Sequence, residues 1–187
     1  MKLAFVHIPK TGGGSIKYWF DKYSPNTIIT NGHSMLENFP TEYNTSFAVV
    51  RNTYSRFVSS YYFARSTHSI KLQRRLIKNN SKNIEYLKES VKWLDKGIIP
   101  WLQFNLDYST NITYSLLTWI KNVDIILHQE TLHTDFKAIQ HLINCYCPLE
   151  KNIHINYYDS EYSTAYIKFI DTHWSSEIEY FKYAPAY

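Results

Sequence analysis

The chain has 187 residues, enough to bury one good core, and its ordinary apolar content with only 5 Gly and 6 Pro argues against long disordered tracts. The formal net charge of +4 suits an anionic ligand but is too mild to mark a nucleic-acid binder, and no apolar run approaches the length of a transmembrane helix. The sequence enters an apolar segment at once, with no signal-peptide pattern, so a cytoplasmic protein that contacts neither membrane nor nucleic acid is expected.

The first expected element is a buried strand over Lys2–His7. A glycine turn follows, then a helix from Ser15 to about Tyr23 that ends before "SPN". Asn26–Thr30 reads as a second, short strand. "NGHSMLENF" turns and opens a short helix. Thr45–Val50 is a third strand, running into the polar turn "RNTYSR" and a helix in which Phe57, Ser60, Tyr61 and Ala64 recur at helical spacing. Residues 66–118 are polar and helical in parts. Val123–Leu127 is a fourth strand, and the helix after it carries Leu132, Phe136, Ile139 and Ile143 on one face. Asn152–Ser163 reads as a loop, and one or two helices close the chain. This alternation predicts an α/β fold: a P-loop-like parallel sheet flanked by helices on both faces, in a single domain spanning 1–187. Most of the 17 tyrosines belong to core and half-buried surface. Cys145 and Cys147, one residue apart and without a second pair, do not fit the common zinc spacings and read as reduced thiols.

The stretch "FVHIPKTGGGSI" joins the first strand to the first helix. In a parallel α/β fold such a loop lies at the carboxyl edge of the sheet, where ligands bind. The free N–H groups of the first helical turn favour an anion there. Gly12, Gly13 and Gly14 let the backbone close around phosphate oxygens, Lys10 supplies a point charge, and Thr11 and Ser15 carry hydroxyl donors. The order differs from a Walker A loop, in which G-K-[ST] follows the glycines; that triplet occurs nowhere in the chain.

"HIPKTGGGS" resembles the 5′-phosphosulfate loop of the sulfotransferase superfamily, H-x-P-K-T-G-[GS]-[TS]-[ST]. "FAVVRNTYSRFVSSYYFAR" resembles that superfamily's second signature, a strand followed by R-[DN]-P-x-x-R-x-x-S-x-Y, which holds the 3′-phosphate of the same molecule. "VDIILHQETLHTDF", "NIHIN" and the aromatic C-terminal segment are similar to later elements of the superfamily, while residues 67–122 match only vaguely. The nearest group is the carbohydrate sulfotransferases of the heparan sulfate 2-O-sulfotransferase type. Gly14 departs from the usual Thr or Ser, and Thr53 from the usual Pro.

The resemblance implies an enzyme that moves the sulfuryl group of 3′-phosphoadenosine 5′-phosphosulfate (PAPS) to a hydroxyl acceptor, a carbohydrate or small molecule, releasing the 3′,5′-bisphosphate (PAP) with no metal. It implies that Lys10 stabilises the leaving oxygen, that Lys10, Thr11, Gly12, Gly13, Gly14 and Ser15 hold the 5′-phosphate, and that Arg51 and Ser59 clamp the 3′-phosphate. His33, in "NGHS" just after the second strand, is the candidate base. His7 positions the turn. Glu130 is a second candidate base or a helix cap, and Arg56 a further phosphate contact or half of a helix-surface salt bridge. Arg65, Lys71 and Arg75 are candidate acceptor contacts; Lys71, Arg74, Arg75 and Lys78 fall on one helix face, either as a solvated face or as a polyanion cradle. His154 and Asn156 are candidates for the nucleotide's far side. Two other readings stand beside this one: a P-loop small-molecule kinase, and a non-catalytic nucleotide- or polyanion-binding module.

Overall fold

The structure, a computed structural model, describes residues 1–40, 42–77, 83–150 and 162–185. These fall into two compact units, one drawn from residues 1–52 and 114–150, the other from 53–113 and 162–185.

The first unit is built on four parallel strands, β1 (Leu3–Val6), β2 (Ile28–Ile29), β3 (Thr45–Val50) and β4 (Ile125–His128), in the order β2-β1-β3-β4. With its helices this makes the fold α/β, as the alternation predicted. β1 and β3 read as near-continuous apolar runs because both faces are covered: Leu3, Ala4, Phe5 and Val6, and Phe47 through Val50, are all fully buried. Helix α1 (Gly13–Tyr23) lays Ile16, Trp19 and Phe20 on one face of the sheet, against Leu3, Phe5, Phe47 and Val49. Helix α6 (Leu132–Ile143) adds Leu132, Phe136 and Ile139 to the same cluster. Full burial of each such side chain stabilises by about 1.5–3 kcal/mol, which outweighs the poor helix propensity of two glycines in the first turn of α1.

Several boundaries differ from the sequence expectation for local reasons. α1 starts at Gly13, two residues early, because Gly12 adopts a left-handed conformation (φ 93°) and turns the chain into the helix there. β2 keeps two of the five expected residues; Asn26 is left-handed (φ 68°) and cannot join a ladder. The short helix after "NGHS" is a single 3-10 turn, Leu36–Asn38, with Pro40 close behind it. β4 begins at Ile125 rather than Val123. The Asp124 carboxylate occupies the head of the β3–β4 ladder, where Oδ2 accepts the Ser46 N–H and the Ser46 hydroxyl, each at 2.7 Å.

The second unit is helical: α2 (Thr53–Ile77), α3 (Ile84–Leu94), α4 (Ile98–Asp107) and α7 (Thr164–Phe181). The short α5 (Leu116–Trp119) belongs to the first unit. Phe57, Tyr61 and Ala64 of α2 pack with Trp101 and Leu102 of α4 and Tyr166, Ile170 and Trp174 of α7. Pro100 is tolerated in α4 because first-turn N–H groups have no intrahelical acceptor. Ser163 caps α7, its hydroxyl oxygen accepting the Tyr166 N–H at 3.2 Å. Ser90 links two aromatic neighbours, accepting the Trp101 indole N–H at 3.1 Å and bonding His68 Nδ1 at 2.8 Å.

Arg56 is a correction to the surface salt bridge considered above. It does pair with an acid, but in the core: its Nη2 lies 3.5 Å from Glu177 Oε1, both side chains are within 1% of complete burial, and Thr53 Oγ1 donates to the same oxygen at 2.6 Å. Burial lowers the Arg56 pKa and Glu177 opposes that shift, so the guanidinium is held as a structural charge. Thr53 contributes its hydroxyl to this buried group.

The Asp124–Ser46 link predicts an acid-dependent loss of stability. The Ser46 hydrogen bonds hold the Asp124 carboxyl below its ordinary range. A depressed carboxylate stabilises the fold above its unfolded pKa, and that contribution disappears as pH falls through the folded value. Asp124→Ala is expected to cost about 1–2 kcal/mol at neutral pH, after allowance for the exposure of the carboxylate. In urea titrations, the gap between wild type and variant should shrink below about pH 4.

Candidate functional site

Because all four strands are parallel, their carboxyl ends share one edge. The β1 end carries the glycine loop, the β2 end leads to His33, the β3 end delivers Arg51, and the β4 end leads to Gln129 and Glu130. From β1 the chain winds outward to β2; β3 returns on the other side of β1. The direction of winding therefore reverses between β1 and β3, where open α/β sheets form their ligand crevice. Two of the predicted charged residues meet there: Arg51 Nη1 donates to the Lys10 carbonyl oxygen at 3.3 Å. Lys10 itself is half-buried, with a left-handed backbone (φ 67°).

The three glycines have three different roles. Gly12 supplies the left-handed turn. Gly13 lies directly against His7: a Cβ there would sit 2.1 Å from His7 Cδ2 and 2.3 Å from Nε2. Gly14 faces open space, with nothing within 4 Å of an added Cβ. The first turn of α1 has no side-chain cap and no acidic residue. The N–H groups of Gly13 and Gly14 therefore have no helical acceptor, and the positive end of the dipole is left for an external anion. Ser15 N–H already bonds the Gly12 carbonyl at 3.1 Å, and the Ser15 side chain is half-buried. Thr11 is fully buried, and its hydroxyl donates to the Ile8 carbonyl at 3.0 Å. The hydroxyl hydrogen bond expected from Thr11 toward a phosphate is thus committed inside the loop.

His7 is the centre of the arrangement. Its ring packs on Gly13, stacks with Phe5 at 5.5 Å between centroids, and meets the His33 ring at 4.4 Å. Burial lowers the His7 pKa to about 4, helped by His33 and Lys17, so the ring is neutral at physiological pH. Lys17 stands one helical turn beyond Gly13 on the same helix face. That i, i+4 spacing was visible in the sequence, but its meaning needed the position of His7. His33 is exposed, and its Nδ1 lies 2.8 Å from the His7 carbonyl oxygen. A carbonyl only accepts, so Nδ1 carries the proton in this bond, and the lone pair of the neutral imidazole sits on Nε2. The backbone of His7 thereby fixes the tautomer a general base requires.

The other predicted residues are placed as follows. Glu130 does not cap the helix it precedes, α6; its Oε1 instead accepts the Asn52 N–H at 2.7 Å immediately before α2. Asp135 of the "E-x-L-x-x-D-F" segment accepts the His128 N–H at 2.9 Å and so ties α6 to the end of β4. Ser59, Arg65, Lys71 and Arg75 all lie on α2, in the second unit. Ser59 and Arg75 are half-buried; Arg65 and Lys71 are exposed. Arg65 lies over the Tyr61 and Tyr62 rings, and Lys71 over Phe63. Lys78, His154 and Asn156 lie outside the described residues. No metal-binding group of His, Cys, Asp and Glu occurs among the described residues, and no helix among them is long and apolar enough to cross a membrane. Comparison of the chain with protein-family models, with curated proteins and with solved structures gives no match.

The contrast between Gly13 and Gly14 gives a paired prediction. Gly13→Ala forces a methyl group into the His7 ring and should destabilise by about 1–3 kcal/mol. Gly14→Ala meets nothing and removes a helical glycine, so it should stabilise by about 0.5–1 kcal/mol. Thermal unfolding of the two variants checks the sign of each.

Proposed function

We propose that this chain is a PAPS-dependent sulfotransferase acting on a hydroxyl group, with a P-loop-like anion site at the carboxyl edge of its sheet. The observation that carries this reading is the His7–His33 pairing. It puts a side chain with a free Nε2 lone pair against the same loop that presents an uncapped helix N-terminus and Lys10. An anion cradle alone suits many nucleotide-binding proteins. A cradle with a tautomer-fixed histidine suits transfer of an anionic group to a hydroxyl.

The residues present fit such a donor. The space at Gly14 is open, and at Gly13 the His7 ring fills the place a side chain would take. Lys10 and the amides of Gly13 and Gly14 would hold the 5′-phosphosulfate end. Arg51, bonded to the Lys10 carbonyl, would supply the guanidinium for the 3′-phosphate. When bound, PAPS supplies a sulfuryl group already activated by its phosphate. Lys10 opposes the negative charge left on the departing oxygen. His33 takes the acceptor hydroxyl proton at Nε2, and the His7 carbonyl steadies the imidazolium through Nδ1–H. A neutral His7 adds no charge that would pull the anion away from Lys10. A carbohydrate is the acceptor class suggested by the "GH" and "SYYFAR" elements.

Calorimetry with 3′,5′-adenosine bisphosphate and 5′-AMP tests the donor site. Wild type should prefer the bisphosphate by about 10-fold or more, as expected for one charge-assisted contact, and Arg51→Ala should lose that preference. His33→Asn should keep nucleotide affinity while release of the bisphosphate from PAPS, with a panel of sugar acceptors, falls by about 10²–10⁴-fold. Equal binding of the two nucleotides by wild type would overturn the assignment.

A further inference from the structure

A second chemical feature lies apart from the anion loop, where α6 ends. Asn144 closes the helix in a left-handed conformation (φ 52°), and the Cys145 N–H returns to the Gln140 carbonyl at 3.1 Å. The chain then crosses α1 as a strap. The Cys145 thiol approaches the Tyr23 carbonyl at 3.8 Å. The Cys147 carbonyl accepts the Trp19 indole N–H at 2.9 Å and also a Gln140 side-chain N–H. Lys22 and Tyr23 both bond Glu150, at 2.6 and 2.9 Å. The backbone on either side of the two cysteines is therefore held in place.

Side chains alternate along this strap. Tyr146 points outward, 61% exposed, and its hydroxyl lies 3.1 Å from His141 Nδ1. Cys145 and Cys147 turn inward together, half-buried, and pack against the aromatic cluster of Trp19, Phe20 and Phe136. Both are free thiols. Desolvation, with Cys145 close by in sequence and on the same side, holds the Cys147 thiol above its ordinary range. Lys22 is the nearby charge that favours its thiolate.

We propose that Cys145 and Cys147 form a vicinal dithiol site that a small-molecule disulfide oxidises to an intramolecular bridge. One cysteine, as its thiolate, attacks a sulfur of the reagent disulfide and releases one reagent thiol. The second cysteine attacks the resulting mixed disulfide and releases the other. Two protein thiols are oxidised, one reagent disulfide is reduced to two thiols, and the two protein protons pass to them. One residue apart and facing the same cluster from a strap held at both ends, the two thiols make the second step intramolecular, so the mixed disulfide does not accumulate. Both thiols are only half-buried, and the strap's bonds to Trp19, Gln140 and Tyr23 keep them on one side.

The test uses the whole chain, incubated without oxygen in excess glutathione disulfide and read by thiol titration and intact mass. Wild type is expected to lose both titratable thiols and two hydrogen masses, with Cys145 and Cys147 recovered in one cross-linked peptide that dithiothreitol reopens. Cys147→Ser should instead stop at a stable glutathione adduct on Cys145, with an unchanged circular dichroism spectrum. Phenylarsine oxide, which spans paired thiols, should bind one equivalent to reduced wild type and none to the variant. Retention of both thiols, stable glutathione adducts on wild type, or a disulfide-linked dimer would each overturn the proposal.

Discussion

The contact on which the site depends is His7 against Gly13. One residue performs two tasks: its ring fills the space above the Gly13 backbone, and its carbonyl oxygen holds His33 by Nδ1. The ring brings the glycine turn and the start of α1 close to the end of β1. The carbonyl brings in the segment after β2, twenty-six positions away in sequence. A charged imidazole would be costly in this half-buried setting, and the pKa near 4 keeps it neutral. Acidification between about pH 6.5 and the folded pKa therefore weakens this contact, since the unfolded chain binds the proton and the folded one does not.

The sheet gives this contact its chemical setting. Four parallel strands deliver four polar turns to one edge, and the strand order reverses the winding between β1 and β3. Lys10 and Arg51 come from the two strands on either side of that reversal and are joined by one hydrogen bond. Other polar groups near the sheet have structural work. Asp124 heads the β3–β4 ladder, Asp135 anchors α6 to β4, and Glu130 bonds the Asn52 N–H in the turn after β3. Positive character at the loop comes from Lys10, Arg51 and the helix dipole, with no acid in the first turn of α1 to cancel it.

What could be read from the sequence was what is local. Strands β1 and β3 announced themselves as apolar runs bounded by polar turns, and α6 by its 3.6-residue period, because burial on both faces or on one writes those patterns directly. The composition of the loop suggested an anion site. The separate roles of Gly12, Gly13 and Gly14 were not legible; Gly13's depends on a ring six residues earlier that folds back over the turn, and Gly12 meets Gln129 and Leu132. The inward hydroxyl of Thr11 was equally hidden: hydroxyls bond local carbonyls or ligands, and composition does not choose between them. Arg56 stayed open between a phosphate contact and a helix-surface ion pair because its buried partner, Glu177, lies 121 positions downstream. The position of His33 at the loop followed from parallel topology; its tautomer required the geometry of the His7 carbonyl.

The most direct test of the central claim, that the Gly13–Gly14 amides and His33 belong to one anion-transfer site, is an NMR titration of ¹⁵N-labelled protein with 3′,5′-adenosine bisphosphate. The account predicts that the Gly13 and Gly14 amide resonances shift together on binding, and that the His33 ring shows a protonated Nδ1 and a bare Nε2 in its neutral form. Binding that leaves both glycine amides unmoved, or a neutral His33 protonated on Nε2, would contradict it.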